Sequence, residues 1–213
     1  MTDNIRSLRD VAKRKIVQAI SEEKIAPGTV ITEAQICVDL DLGRTPAREA
    51  LIELTANRVL EKIPNVGFRV RGIDKKARDD AFVILAELDS LAACLAARKL
   101  SDDDIDRMRE LTDLMDVAVK YCNFTDYDSL QDEFHGIYVN ACKNRFLIQE
   151  IEMIKDSVLG YAFYSDDKKM LMEKCASANE QHREIVRLFA ECEIKELHKY
   201  LTEVHWAVRK SEP

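Results

Sequence analysis

Apolar side chains recur at helical spacing along most of the chain and change period in one short stretch. Ile5, Leu8, Val11, Ala12, Ile16, Ala19 and Ile20 fall on one side of a helix, which predicts an amphipathic element over 5–22. Pro27-Gly28 closes it with a turn. Thr32, with Gln35 three residues later, makes a capping box that opens a second, short helix ending near Leu40-Asp41. Gly43 marks the next break. Thr45 before Pro46 reads as an N-cap with proline at the first helical position, and a third helix then carries Ala47, Ala50, Leu51 and Leu54. The runs 59–63 and 68–70 are β-prone, and Pro64-Asn65-Val66-Gly67 between them signals a hairpin. Lys75-Lys76-Ala77-Arg78 reads as a charged hinge. Beyond it the helical period returns and stays, over 81–100, 104–122, 126–142, 145–163, 168–190 and 193–210, with Ser101 capping the second of these.

These elements predict a mainly α fold: a winged helix-turn-helix over 1–74 and an antiparallel bundle of about six helices over 75–213. Composition narrows the class. Six Gly and 4 Pro in 213 residues argue against disorder and against a many-turned β fold. No apolar run reaches the roughly 18–20 residues of a membrane helix. The first twenty residues carry Arg6, Arg9, Lys13, Arg14 and Lys15 among apolar ones, which predicts no secretory leader and a cytoplasmic protein. Six cysteines at 37, 94, 122, 142, 175 and 192, with no CxxC, fit free thiols in a reducing compartment.

The net charge of −7 looks wrong for a nucleic-acid binder, but it is unevenly spread. Residues 1–78 hold 15 Lys/Arg against 11 Asp/Glu, and the remaining residues hold 17 against 28. Phosphate responds to the local field of one domain, so the acidic bundle does not exclude DNA. In a winged helix the third helix enters the major groove by its first turn. Arg44 and Arg48 share one helical face there, each able to fork onto guanine or phosphate. The Thr45 hydroxyl and the free N–H groups of that turn suit a phosphate. Gly67 lets the hairpin tip approach a backbone closely, with Arg69 and Arg71 beside it. A solvated basic helix is the plainer reading of such a pair, but the pair sits on the one turn a winged helix presents.

Thr32-Glu33-Ala34-Gln35-Ile36, Leu42-Gly43-Arg44-Thr45-Pro46-Ala47-Arg48-Glu49-Ala50-Leu51 and Asn65-Val66-Gly67-Phe68-Arg69-Val70 together resemble the N-terminal domain of the GntR family of bacterial transcription regulators. The resemblance implies Arg44, Thr45, Arg48 and Gly67 as the main DNA contacts. Asp41 stands where the family usually has Gly, and Asp tolerates the left-handed conformation such a turn needs. Gly43 replaces a usual Ser, and Ala34 an Arg found in some members. Glu87-Leu88-Asp89 with Leu91–Ala97, and Glu133-Phe134-His135 with Ala141-Cys142-Lys143-Asn144, resemble the FCD effector domain of the FadR-like subgroup.

That second resemblance implies a homodimer on a palindromic operator and a bundle that encloses a small organic acid, often beside a divalent metal such as zinc, nickel or manganese. The family ligands are an Asp or Asn four residues before a His, then two later His. His135 and His182 match two of these, and with Tyr138 and Gln131 they form the expected effector pocket. Gln131 occupies the Asp/Asn position, with Asp132 next door as a substitute ligand. The third His is expected near 204, where the chain has Val204; His205 is one residue late, a turn of about 100° on a helix. Either a local bulge restores His205 or the site is incomplete. An Arg clamp common in the family falls at Leu85. Arg183, Tyr161 and Tyr164 are further polar or aromatic candidates.

Plainer alternatives stand beside these. His135 and His182 can be core histidines bonded to Tyr138 or Asn179, and His198 and His205 edge residues of the last helix. Cys94 and Cys142 read as packed thiols. The competing functions are a helical metalloenzyme built on His135 and His182, which finds no positioned nucleophile or acid/base pair, and an architectural DNA binder with no effector. The leading reading is a ligand-responsive regulator, a repressor by resemblance, and not an enzyme.

Overall fold

The computed structural model describes residues 7–21, 24–57, 59–71, 75–162 and 168–207, with 21, 75, 156–162 and 168 described by backbone alone. Two compact units divide the chain: Met1–Lys75 with Met153–Tyr164, and Lys76–Glu152 with Ser165–Pro213.

The first unit begins with α1 (Leu8–Ser21), β1 (Val30–Ile31), α2 (Glu33–Asp39) and α3 (Arg44–Ala56), followed by β2 (Leu60–Ile63) and β3 (Gly67–Val70). The expected capping box is present: Thr32 Oγ1 accepts from the Gln35 amide at 3.2 Å, and Gln35 Oε1 accepts from the Thr32 amide at 2.9 Å. Lys15 reaches the last carbonyl of the same helix, with Nζ 2.9 Å from Leu40 O. Asp41 sits at φ 50°, so the turn into α3 survives without glycine. Ala12 and Ile16 of α1, Ile36 of α2, and Ala47, Leu51 and Leu54 of α3 share one sealed core with Phe68 of the sheet. Lys13 and Arg9 tie α1 to Glu53 of α3 at 3.0 and 3.2 Å.

Two expectations change here. α3 starts at Arg44 with Gly43 as N-cap, so Thr45 is inside the helix and caps nothing. The first-turn N–H groups have no intrahelical partner, and Pro46 is therefore as harmless at the third position as at the first. The sheet has three strands rather than two, in the order β1-β3-β2, both pairings antiparallel. β1 pairs Ile31 with Phe68 and Val30 with Arg69, against the outer edge of the hairpin. Gly67, at φ 152°, lies so close to this strand that a Cβ would stand 2.3 Å from Ile31 O.

The second unit holds six helices among the described residues. They are α4 (Lys75–Ala96), α5 (Asp102–Lys120), α6 (Phe124–Ala141), α7 (Arg145–Ala162), α8 (Lys168–Ala190) and α9 (Ile194–Tyr200); the end of α7 groups with the first unit. Lys75–Arg78, which reads as a charged hinge, forms the first turn of α4, and the boundary between the two units falls between Lys75 and Lys76. Ser101 forms a full capping box with Asp104 at the head of α5, and Asp102, Asp103 and Asp104 face the positive end of its dipole. α5 packs on α6 and α8, with Asn179 of α8 donating to Thr112 O at 2.9 Å and Tyr127 of α6 donating to Cys175 O at 2.9 Å. The last helix is not α throughout. After Tyr200 the chain widens into a π turn, Leu201–His205, closed by the Trp206 amide on Leu201 O at 3.0 Å. No helix among the described residues is long and apolar enough to cross a membrane.

Candidate metal centre and DNA-facing surface

α6, α8 and the π turn each bring one imidazole to a common point. His135 Nε2 lies 3.3 Å from His182 Nε2 and 3.3 Å from His205 Nε2, and one nitrogen from each ring falls within 4.8 Å of the others. The π turn makes this convergence. An i→i+5 turn holds one more residue than an α turn, which offsets the one-residue delay of His205. Leu197 and Leu201 stay sealed on the inner face while Val204 is turned 44% exposed to solvent. Of the two alternatives the spacing left open, a local bulge or an incomplete site, the π turn is the bulge.

Hydrogen bonds outside the cluster orient the rings. Tyr138 donates its hydroxyl proton to Asp89 Oδ2 at 2.6 Å, so its oxygen must accept from His135 Nδ1, 2.5 Å away. His205 Nδ1 faces Gln181 Oε1, an acceptor, at 3.0 Å. Both rings therefore carry their proton on Nδ1 and present a bare Nε2 lone pair to the cluster. Two bare nitrogens cannot hydrogen-bond to each other, and with His182 they form a set that could hold a cation. His182 is sealed at 1% exposure, and its Nδ1 is a buried atom without a hydrogen-bond partner. Burial, with His205 and Arg183 nearby, holds the His182 pKa well below the ordinary 6.5, and burial pushes His205 down to about 3. Both are neutral at physiological pH, the state a metal ligand requires. Burial and Asp89 hold the Tyr138 hydroxyl protonated.

The other expected members part company. Asp132 does not belong to the cluster among the described residues. Gln131 is buried, but its amide turns along its own helix to Asp128 Oδ1 at 3.1 Å. Leu85, at the clamp position, is fully buried. His198 is an edge residue, 3.9 Å from Glu87 on the surface. The Asn179 amide serves Thr112 and Asp116, and its Oδ1 is unpartnered, so it does not hold His182. Arg183 is engaged by Asp116 and Glu180. Tyr164 and the side chain of Tyr161 lie outside the described residues. Cys175 is buried, its thiol pushed up to about 12, and Cys94 is raised by burial, so neither offers a thiolate.

Three residues that spacing did not single out complete the site. Asp89 on α4 is 1% exposed and accepts from both Tyr138 and the Trp206 indole N–H, the latter at 2.8 Å. Trp206 lies with its ring 5.2 Å from that of His135 and 4.8 Å from that of His205. Gln181 holds His205.

On the first unit, Arg44, Thr45 and Arg48 all project from the opening turn of α3 into solvent. Arg69 is exposed on β3. Arg48 Nε stands 3.7 Å from Glu33 Oε1, and Arg69 Nη1 3.3 Å from Glu61 Oε2, so two of these arginines carry an acidic neighbour. Gly67 has a role inside the fold, the close passage of β1, in addition to any at a DNA backbone.

Comparison with known proteins bears on the whole chain. The sequence pattern of the FCD domain matches residues 80–203, and that described as "Bacterial regulatory proteins, gntR family" matches residues 8–70. The chain belongs to the GntR family. Among its GntR relatives, the Nta operon transcriptional regulator of Aminobacter aminovorans is 27% identical over 165 residues, covering 78% of this chain and 75% of that protein. The HTH-type transcriptional repressor RspR of Escherichia coli (strain K12) is 25% identical over 158 residues, 74% of this chain and 67% of the other. In fold the chain is similar to E. coli McbR/YncC, with a TM-score of 0.75 at 20% identity over 94% of both chains. The protein is a DNA-binding transcriptional regulator with an FCD effector-binding domain, and not an enzyme. The metalloenzyme alternative is set aside on that ground.

Proposed function

We propose that this GntR regulator is a dimeric repressor whose bundle binds a divalent metal and, through it, a small organic acid. The winged domain over 1–74 would take one half-site of a palindromic operator, with Arg44, Thr45, Arg48, Gly67 and Arg69 as its contacts. The domain over 75–213 would hold zinc, nickel or manganese through His135, His182 and His205. The observation that carries this reading is the convergence of three imidazole nitrogens within 4.8 Å. Three neutral nitrogen donors suit a borderline cation and leave a coordination position for an added ligand. A carboxylate fits there because the donors bring no charge to balance a divalent ion. Exposed apolar stripes support pairing of two copies, with Ile84, Leu91 and Leu95 on α4, Leu114 and Val117 on α5, and Tyr121 at the C-cap of α5. A cytoplasmic location follows from a function on the bacterial chromosome.

Effector and DNA are then coupled through two states of the dimer. A tenfold loss of operator affinity needs about 1.4 kcal/mol of differential effector affinity. The test is metal analysis of untagged protein purified without chelator, alongside His135→Ala/His182→Ala. One metal per chain in the parent and none in the variant is expected. Operator binding measured with and without metal-chelating carboxylic acids then reads the coupling. A metal-free parent that also fails to bind added zinc would overturn the metal reading and leave the DNA reading intact.

A further inference from the structure

A single buried carboxylate oxygen connects two of the three ligand-bearing segments. Asp89 Oδ2 accepts from Tyr138 Oη at 2.6 Å and from Trp206 Nε1 at 2.8 Å. The first bond leads on to His135 Nδ1, 2.5 Å from the same hydroxyl. The second fastens the residue that closes the π turn, because the Trp206 amide completes that turn on Leu201 O at 3.0 Å. α4 supplies none of the three imidazoles, yet its one sealed acid reaches both α6 and the end of the chain's last helix, 49 and 117 residues away in sequence. A carboxylate at 1% exposure is costly unless the site needs its charge. Three neutral imidazoles around a divalent cation would leave two positive charges uncompensated, and Asp89 stands one side chain behind His135.

We infer that Asp89 is the positioning residue of the three-histidine site: it fixes the His135 tautomer through Tyr138 and the place of His205 through Trp206. The inference rests on the metal reading for its purpose but not for its test. The relay sets a proton on Nδ1 of His135 whether or not a cation is bound, and the tautomer is readable in metal-free protein. Tyr138 is the relay and Trp206 the fastener; neither needs to touch a ligand.

The experiment compares the parent with Asp89→Leu, which removes the acceptor at similar size, and with Tyr138→Phe and Trp206→Phe in the full chain. Two-bond proton–nitrogen spectra of metal-free protein read each histidine tautomer. The chain has a single Trp, so its emission reports on the surroundings of Trp206, the Asp89 bond among them. Zinc affinity is read by competition with a chromophoric chelator, and the cobalt(II) visible spectrum reads coordination number. The expected result is an Nδ1–H His135 in the parent that shifts to Nε2–H in Asp89→Leu and Tyr138→Phe, with zinc affinity falling about 10- to 100-fold in each. Asp89→Leu also shifts the Trp206 emission by more than Tyr138→Phe does. Trp206→Phe keeps the His135 tautomer and weakens zinc by loosening His205. A packing role alone would move the melting temperature and none of these signatures. Asp89→Leu with the parent tautomer and emission overturns the inference. If Asp89→Leu does not fold, Tyr138→Phe, which removes one hydroxyl, decides it by the same tautomer reading. A parent that binds no zinc but shows the tautomer switch overturns the metal reading and keeps Asp89 as the organiser of the histidines.

Discussion

Replacing Gly67 by alanine tests whether this glycine serves the fold, the DNA, or both. Its φ of 152° is one that L side chains rarely adopt, and the new Cβ would meet Ile31 O at 2.3 Å, well inside contact distance. The obstructing atom is backbone, so it cannot swing away; β1 must move. The strained dihedral and the overpacking each cost on the order of 1–3 kcal/mol, or about 3 kcal/mol combined after partial relaxation. For a domain of this size that corresponds to a fall in melting temperature on the order of 10–20 °C. Calorimetry of the full chain reads the loss. Hydrogen exchange locates it: protection should fall at the amides of Gly28 and Val70, which bond to Val70 O and Thr29 O at 2.8 and 2.9 Å beside β1. Operator affinity is measured at a temperature where the variant is fully folded. A variant with parental melting and parental protection at these two amides would refute the reasoning, and the glycine would then matter for DNA approach alone.

Three further outcomes are expected. Deleting Val204 lets the π turn rewind as α-helix with His205 one step earlier, on the face of Leu197 and Leu201; zinc affinity should stay near the parental value, whereas an alanine inserted after Val204 turns the ring by about 100° and abolishes binding. Arg48→Ala should weaken operator binding and make the slope of log K against log salt shallower by about one, as a lost phosphate contact does; an unchanged slope removes Arg48 from the interface. Chelator-treated protein should lose stability on acidification. His182 and His205 are held neutral in the fold, so below pH ~6.5 the unfolded chain binds more protons, and stability falls toward pH 3 by up to about 1.4 kcal/mol per pH unit for each imidazole. Urea midpoints that are flat or rising from pH 6.5 to 5 contradict this.

Local chemistry carried most of the fold into the sequence. The Thr32–Gln35 and Ser101–Asp104 boxes, the left-handed Asp41 and the Pro64–Gly67 turn each lie within a few residues, and each is found in place. What stayed hidden has physical reasons. β1 is two residues long, too short for any period to show. The start of α3 was masked by the stronger cap signal of Thr45-Pro46, because a missing N–H costs nothing anywhere in a first turn. Lys75–Arg78 resembles a linker in composition, yet lysine and arginine are good helix formers and simply begin α4. In the site, His135 and His182 were legible from their surroundings in sequence. His205 was a ligand only on condition of a local bulge, because periodic reasoning assumes 100° per residue and the chain departs from it at Leu201. Asp89, Gln181 and Trp206 join through contacts that no spacing rule encodes; the Trp206 bond spans 117 residues.

The acids beside the arginines proposed to meet DNA would affect how such a protein finds its operator. Glu33 and Glu61 pair with Arg48 and Arg69 at 3.7 and 3.3 Å, so a phosphate arriving at either arginine would compete with an acid already there. On random DNA each arginine must give up its internal anion for an equivalent one, so little is gained and residence is short. At the operator, base-edge forks and fitted shape add what the exchange alone does not supply. With these arginines at the DNA, the arrangement would trade grip for turnover: fewer molecules would be stranded on the excess of irrelevant sequence, and more of the search time would go into sampling new sites.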